Sequence, residues 1–165
     1  MKYLLLGGIL IFLLFIITYW AIKYVEEAAI KRVNNRMSFK ESLDLVGLPI
    51  ITFTQGERKY NFILDTGSTL SVINEEAIRS INHITLDKKG SNYGCEGNIV
   101  STDFVKIHIE YKNNIFEEEF QVVNLSKAFE NIYNDYKVNI VGILGNSFFT
   151  RYKYILDFDE LAAYR

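Results

Sequence analysis

Cysteine, histidine and proline are almost missing from these 165 residues. One cysteine, Cys95, excludes an internal disulfide framework and any cysteine-based zinc cluster. Two histidines, His83 and His108, leave no His-rich metal site. A single proline, Pro49, excludes proline-rich linkers and ligand segments. Charge of one sign is also scarce. The net formal charge is −2, so there is no polybasic footprint for nucleic acid. Disorder is excluded from the other direction, because 49% of the residues are apolar and 15% aromatic.

What charge there is divides the chain. Residues 1–43 carry six Lys or Arg against three Glu, and residues 44–165 carry 12 basic against 17 acidic side chains. Tyr3 to Ile22 is a run of twenty residues without a charge. As a helix it would span roughly the 30 Å of a hydrocarbon core. Lys2 and Lys23 bracket the run, and Tyr19, Trp20 and Tyr24 sit where aromatic rings favour headgroups. The run is longer than the apolar part of a cleaved signal peptide and ends in bulky residues. The expectation is therefore an uncleaved single-pass transmembrane anchor over residues 1–25, with a juxtamembrane stalk over 26–43. Lys23, Lys31, Arg32, Arg36 and Lys40 follow the span. The basic residues behind it favour a cytoplasmic body, but exported domains also carry such anchors, so the side of the membrane stays open.

From Leu45 the pattern becomes short and alternating. Leu48–Thr54 and Lys59–Leu64 read as two strands joined by a Gln55–Arg58 turn. Val72–Ile73 is a further short strand, and Glu75–Ile81 a helical turn or two that Asn74 could cap. Strands are expected over Ile99–Tyr111 and Ile115–Val123, joined at Lys112–Asn114. Glu117-Glu118-Glu119 reads as a solvated face or a guarded edge. Leu125–Tyr136 is helix or loop, and Val138–Leu144 a buried strand. Asn146–Tyr152 is a short helix capped by Asn146 or Ser147, and Tyr154–Phe158 a last strand.

The chemistry-bearing segment is Ile63-Leu64-Asp65-Thr66-Gly67-Ser68-Thr69. An Asp-Thr-Gly alone is an ordinary turn sequence. Here it follows a hairpin, is entered from an apolar strand and leads into another apolar stretch. Further along comes Val141-Gly142-Ile143-Leu144-Gly145-Asn146-Ser147-Phe148-Phe149. Taken together, these elements resemble the retropepsin-like aspartic proteases, and the resemblance covers residues 44–165. It implies an all-β fold: a small, closed-barrel-like lobe with one short C-terminal helix, here preceded by one transmembrane helix.

The resemblance also implies roles. Asp65 looks like the catalytic aspartate, and Thr66 like the threonine whose hydroxyl braces the loops of two subunits. Gly67 would let backbone approach the carboxylate, and Ser68 would offer it a hydroxyl. Ile143, Leu144 and Gly145 would pack beside the loop, while Tyr93, Gly94 and Gly97 fall where a substrate-covering flap belongs. Asn146 stands where retroviral relatives tend to carry a basic residue that helps lock the dimer. No other aspartate is followed by Ser/Thr-Gly. One chain thus supplies one half-site, and the expected enzyme is a homodimer with one Asp65 per subunit activating a water. Its partner is an extended peptide or protein substrate, with apolar side chains flanking the cleaved bond. No metal or organic cofactor is implied. The competing expectation is a catalytically silent module of the same fold that binds peptides or dimerises.

Overall fold

A computed structural model describes residues 2–93 and 99–165. The chain divides between Asn35 and Arg36 into two units. The first is a single 34-residue helix, α1 (Lys2–Asn35). It is locally reinforced. Thr18 donates its hydroxyl to the Leu14 and Phe15 carbonyls at 3.0 Å, Lys23 pairs with Glu27, and the Lys23 ammonium lies 5.6 Å from the Trp20 ring centre.

The transmembrane expectation is overturned here. Among the described residues no helix is long and apolar enough to cross a membrane. Lys23, Glu26 and Glu27 put three charges on the same helix directly after Ile22. The single-pass membrane localisation falls with the anchor.

The second unit begins at Arg36 and takes in residues assigned above to a stalk. β1 (Met37–Ser38) pairs antiparallel with β10 (Ala162–Tyr164), which pairs in turn with β9 (Ile155–Asp157). α2 (Lys40–Val46) follows and ends at Gly47, whose φ of 75° is a left-handed exit that suits glycine. The main sheet has seven strands in the order β2-β3-β8-β4-β7-β6-β5. These are β2 (Ile50–Gln55), β3 (Arg58–Leu64), β4 (Ser71–Asn74), β5 (His83–Tyr93), β6 (Ile99–Tyr111), β7 (Asn114–Val123) and β8 (Ile140–Leu144). α3 (Ser126–Tyr136) precedes β8 and α4 (Asn146–Tyr152) follows it.

The all-β, closed-barrel expectation is therefore corrected. The protein is mixed α/β, with four α-helices among the described residues and a seven-stranded sheet that is not a closed barrel. The sheet does not close for a local reason. β2 returns against β6 only at the Thr54–Glu110 pair, and β5 continues beyond β6 as an edge. The helical share exceeds one short C-terminal helix because α2 and α3 also dock. Leu43 packs on the main core, and Phe129 is buried in a smaller cluster with Ile50 and Ile140.

The core explains why the sheet stays together. Phe53, Phe62, Phe116, Phe120 and Phe148 are essentially inaccessible. Phe53 has the Phe62, Tyr111, Phe116 and Phe148 rings within 6.3 Å, mostly edge-on. Buried rings of this size contribute about 1.5–3 kcal/mol each by removal from water. They come from β2, β3, β7 and α4, so the core joins both halves of the sheet beneath the segment that carries Asp65.

Candidate functional site

β8 lies between β3 and β4, parallel to the first and antiparallel to the second. The connection from β3 to β4, residues 65–70, must therefore pass over the end of β8. It passes very close. A Cβ on Gly142 would lie 2.5 Å from the Val72 carbonyl oxygen, and one on Gly145 would lie 2.4 Å from that of Leu70. Backbone sits on backbone at both places, which only glycine permits. This is the physical content of the Gly142–Gly145 spacing read in the sequence.

The connection is then tied down. Asp65 donates its amide to the Leu144 carbonyl at 3.0 Å. The amides of Asn146 and Ser147 donate to the carbonyls of Ser68 (2.8 Å) and Thr69 (3.1 Å). The Asn146 side-chain amide donates to the Thr66 carbonyl at 2.7 Å. So the residue that departs from the retroviral pattern braces the loop within its own chain. Neither Asn146 nor Ser147 caps α4, against the expectation above; the N-cap is Gly145, the Asn146 side chain turns to the loop, and the Ser147 hydroxyl turns to Glu118. Asn74 likewise caps nothing after β4, since its Oδ1 accepts the Leu125 amide at 3.0 Å.

Asp65 is half-buried and Thr66 and Gly67 are exposed. The Gly67 amide donates to Asp65 Oδ1 at 2.8 Å. A Cβ at 67 would stand 3.0 Å from that same oxygen, so glycine keeps the carboxylate uncrowded. Ser68 does not do what its position suggests: its hydroxyl donates to the Leu70 carbonyl at 2.6 Å, closing the loop on itself rather than touching Asp65. Ile143 is half-buried and Leu144 buried at the end of β8, beside the loop. The structure thus brings Asp65, Thr66, Gly67, Ser68, Ile143, Leu144 and Gly145 together. Tyr93 ends β5, its backbone paired with Ile99 in a long β5–β6 arm. Gly94 and Gly97 lie outside the described residues.

Beneath the loop lies a group of side chains that the sequence reading missed. Glu118 of β7 is fully buried. Its Oε1 accepts the hydroxyls of Ser71 and Ser147, both at 2.9 Å. Ser71 Oγ in turn accepts the Gly145 amide at 3.2 Å, and Ser147 Oγ accepts the Ser71 amide at 3.0 Å. Arg151 of α4 approaches Glu118 Oε2 at 3.4 Å. Burial pushes the Glu118 carboxyl above its ordinary value, against the opposing pull of Ser71, Ser147 and Arg151. Its neighbour Glu117 is exposed. Hydrogen bonds from Lys106 and His108 hold that carboxyl below the usual range.

The three glutamates are therefore not a guarded edge, and only the outward-facing Glu117 and Glu119 fit a solvated face, while Glu118 points inward. β7 is an interior strand, paired parallel with β4 and antiparallel with β6. The period of two puts Glu118 on the inner face with Phe116 and Phe120. That alternation was the available signal. Among the described residues, no three His, Cys, Asp or Glu side chains gather as metal ligands. The arrangement offers one accessible carboxylate on a rigid, glycine-lined loop, over a buried hydrogen-bonded support. No protein-family model matches the chain, and no curated protein matches it.

Proposed function

We propose that the chain is an aspartic endopeptidase of the retropepsin-like kind, active as a homodimer. The observation that carries the reading is the placement of Asp65. Its carboxylate sits on a short loop passed over the end of β8, with the Gly67 amide on one oxygen and the exposed side of the loop open. A single such carboxylate is half of what the chemistry needs. Two copies meeting at this exposed side would place two Asp65 carboxyls about one hydrogen bond apart. Like charges that close cannot both ionise cheaply, so the pair would hold one proton between them. One carboxylate takes a proton from a bound water while the other donates to the scissile carbonyl. Exposed Leu70 and half-buried Val72 and Ile143 supply an apolar border, suiting apolar side chains on either side of the cleaved bond.

The test uses the full chain and its Asp65→Asn variant, incubated with a mixed peptide library at several protein concentrations. The wild type should cleave, with specific activity rising as concentration rises, and Asp65→Asn should lose roughly 10⁴-fold or more. Cleavage that survives in Asp65→Asn would sink the aspartic mechanism. A folded, dimeric wild type that binds peptides but cleaves none would leave a peptide-binding module instead.

A further inference from the structure

We propose that Glu118 is a positioning residue for the Asp65 loop, and that its buried carboxylate couples the loop's geometry to protonation. The positioning of a reacting group rests on the protease reading; the coupling of Glu118 to the loop does not.

The argument is one of donors and acceptors. Each serine hydroxyl has one proton to give. Ser71 and Ser147 both lie 2.9 Å from the same oxygen, Glu118 Oε1, and both also face a backbone amide that needs an acceptor. Every group is satisfied in one arrangement only. Both hydroxyls donate to Oε1, which turns their lone pairs towards the Gly145 and Ser71 amides. The 3.2 Å contact between the two hydroxyls then carries no proton. Glu118 sets the direction of both serines, and the serines set the backbone at both ends of the contact between loop and α4.

A proton from solvent costs contacts wherever it lands, and on Oε1 it displaces the serine hydroxyls themselves. On Oε1 it makes a donor where two donors already point. On Oε2 it places an O–H against the Arg151 guanidinium, donor against donor. Oε2 has no other hydrogen-bond partner among the described residues to redirect it. The charged and titratable groups around Glu118 are few. Arg151 and Tyr152 come from α4, and Tyr152 donates its hydroxyl to the Glu117 carbonyl. Glu117 and Glu119 flank it on β7, facing away, and are paired to Lys106 and His108 and to Lys88. β4 and the start of α4 contribute only the two serines. Nothing but Arg151 opposes protonation by charge at contact distance, and burial favours it.

The experiment follows backbone amide shifts of Gly145, Ser71, Ser147 and Asn146, whose amide donates to the Ser68 carbonyl of the loop, in the full chain from pH 4 to 8. It compares wild type, Asp65→Asn, Glu118→Gln and Ser147→Ala. In wild type and Asp65→Asn these amides should share one midpoint above 4.5, the ordinary glutamate value, and the transition should vanish in Glu118→Gln. In Ser147→Ala the midpoint should move further up, because a hydrogen bond to the ionised form is gone. That last variant keeps the test alive if Glu118→Gln does not fold. A transition that persists in Glu118→Gln, disappears in Asp65→Asn, fails to move in Ser147→Ala, or never appears would overturn the coupling. Peptide cleavage then tests positioning. Glu118→Gln should lower kcat by about tenfold at unchanged KM and shift the acid limb of the pH profile downward. Wild-type kinetics in Glu118→Gln would overturn the positioning role. A wild type with no cleavage would defeat the protease reading while the amide titration still decides the coupling.

Discussion

The Asp65 loop and the β5–β6 arm belong to the same sheet, yet they are held by opposite means. The loop is fixed from below, by backbone packed on Gly142 and Gly145 and by hydrogen bonds converging on one buried carboxylate. The arm is fixed by strand pairing, with Val105, Ile107 and Ile109 of β6 seated in the core and the outer strand β5 left mostly in water. On β5 the side chains of His83, Ile84, Thr85 and Asp87 to Lys89 are exposed, and Lys88 and Lys89 meet Glu119 and Asp103 at the surface. The contrast suits the proposed chemistry. A reacting carboxylate has to be held within fractions of an ångström, whereas an arm that covers a substrate has to let it in.

The sharpest way to break this comparison is to add one methyl group to each region. In Gly145→Ala the new Cβ meets the Leu70 carbonyl oxygen at 2.4 Å, the Leu70 carbonyl carbon at 2.7 Å and the Ser68 carbonyl oxygen at 2.8 Å. All three are backbone, and none can give way without lifting the loop. The expected cost exceeds about 4 kcal/mol, enough to lose a cooperative unfolding transition at ordinary temperature. In Gly90→Ala on the arm, the Cβ meets the Phe104 ring at 2.6 Å and the Gln121 side-chain nitrogen at 3.1 Å. Side chains can move, so the cost should be about 1–3 kcal/mol. Denaturant unfolding of both variants measures the difference. Equal losses would mean that the loop is no more tightly determined than the arm.

Much of the loop region was legible in the sequence, because its signals are local. The hairpin of β2 and β3 lies within a residue or two of the strands read from alternation, with Gly56 supplying the positive φ of 61° at its turn. Asp65-Thr66-Gly67 and Ile143-Leu144-Gly145 meet as their order suggested. What was not legible depends on partners distant in sequence. β1 is two residues long and exists only because β10 lies beside it. β5 carries Asp87, Lys88, Lys89 and Gly90, a poor strand by propensity, and β6 imposes the strand across a register shift between Leu86 and Lys89. Glu118 was misread because a run of like charges usually faces water. Its burial needs Ser71 and Ser147, which no local window contains.

The next contrast is between two adjacent glutamates, and it concerns the sign of a pH effect. Glu118 faces the loop, and burial raises its carboxyl above 4.5. The folded state then binds that proton more tightly than the unfolded chain. The resulting stabilisation is complete below the ordinary value and is lost as pH rises through the raised native one. Glu117 faces out beside Lys106 and His108, which lower its value from 4.5. Its contribution is present above the ordinary value and is lost as pH falls through the lowered one. Subtracting Glu118→Gln from wild type in thermal unfolding should therefore give a difference that falls with rising pH above 4.5. Subtracting Glu117→Gln should give one that falls with falling pH below 4.5. Slopes of the same sign would mean that the support beneath the loop is electrostatically no different from the surface.

The smallest expected effect tests the arm from its own side. Lys88 pairs with Glu119 at 3.2 Å and lies 4.3 Å from the Phe104 ring centre, and Lys89 pairs with Asp103. These ammonium groups are largely in water, with 52% and 72% of their side chains exposed. Exposed pairs of this kind gain little, because water screens the attraction and two long side chains lose freedom to make it. Replacing either lysine by alanine should change stability by no more than about 0.5 kcal/mol, and 0.5 M salt should erase even that. The Phe104 contact makes Lys88 the more costly of the two, since an exposed cation over a ring adds about 0.5 kcal/mol. A loss above about 2 kcal/mol at either position would mean that the arm is held by its side chains after all. Tight specification would then extend from the loop to the edge of the sheet, and an arm that opens for a substrate would have to break those contacts first.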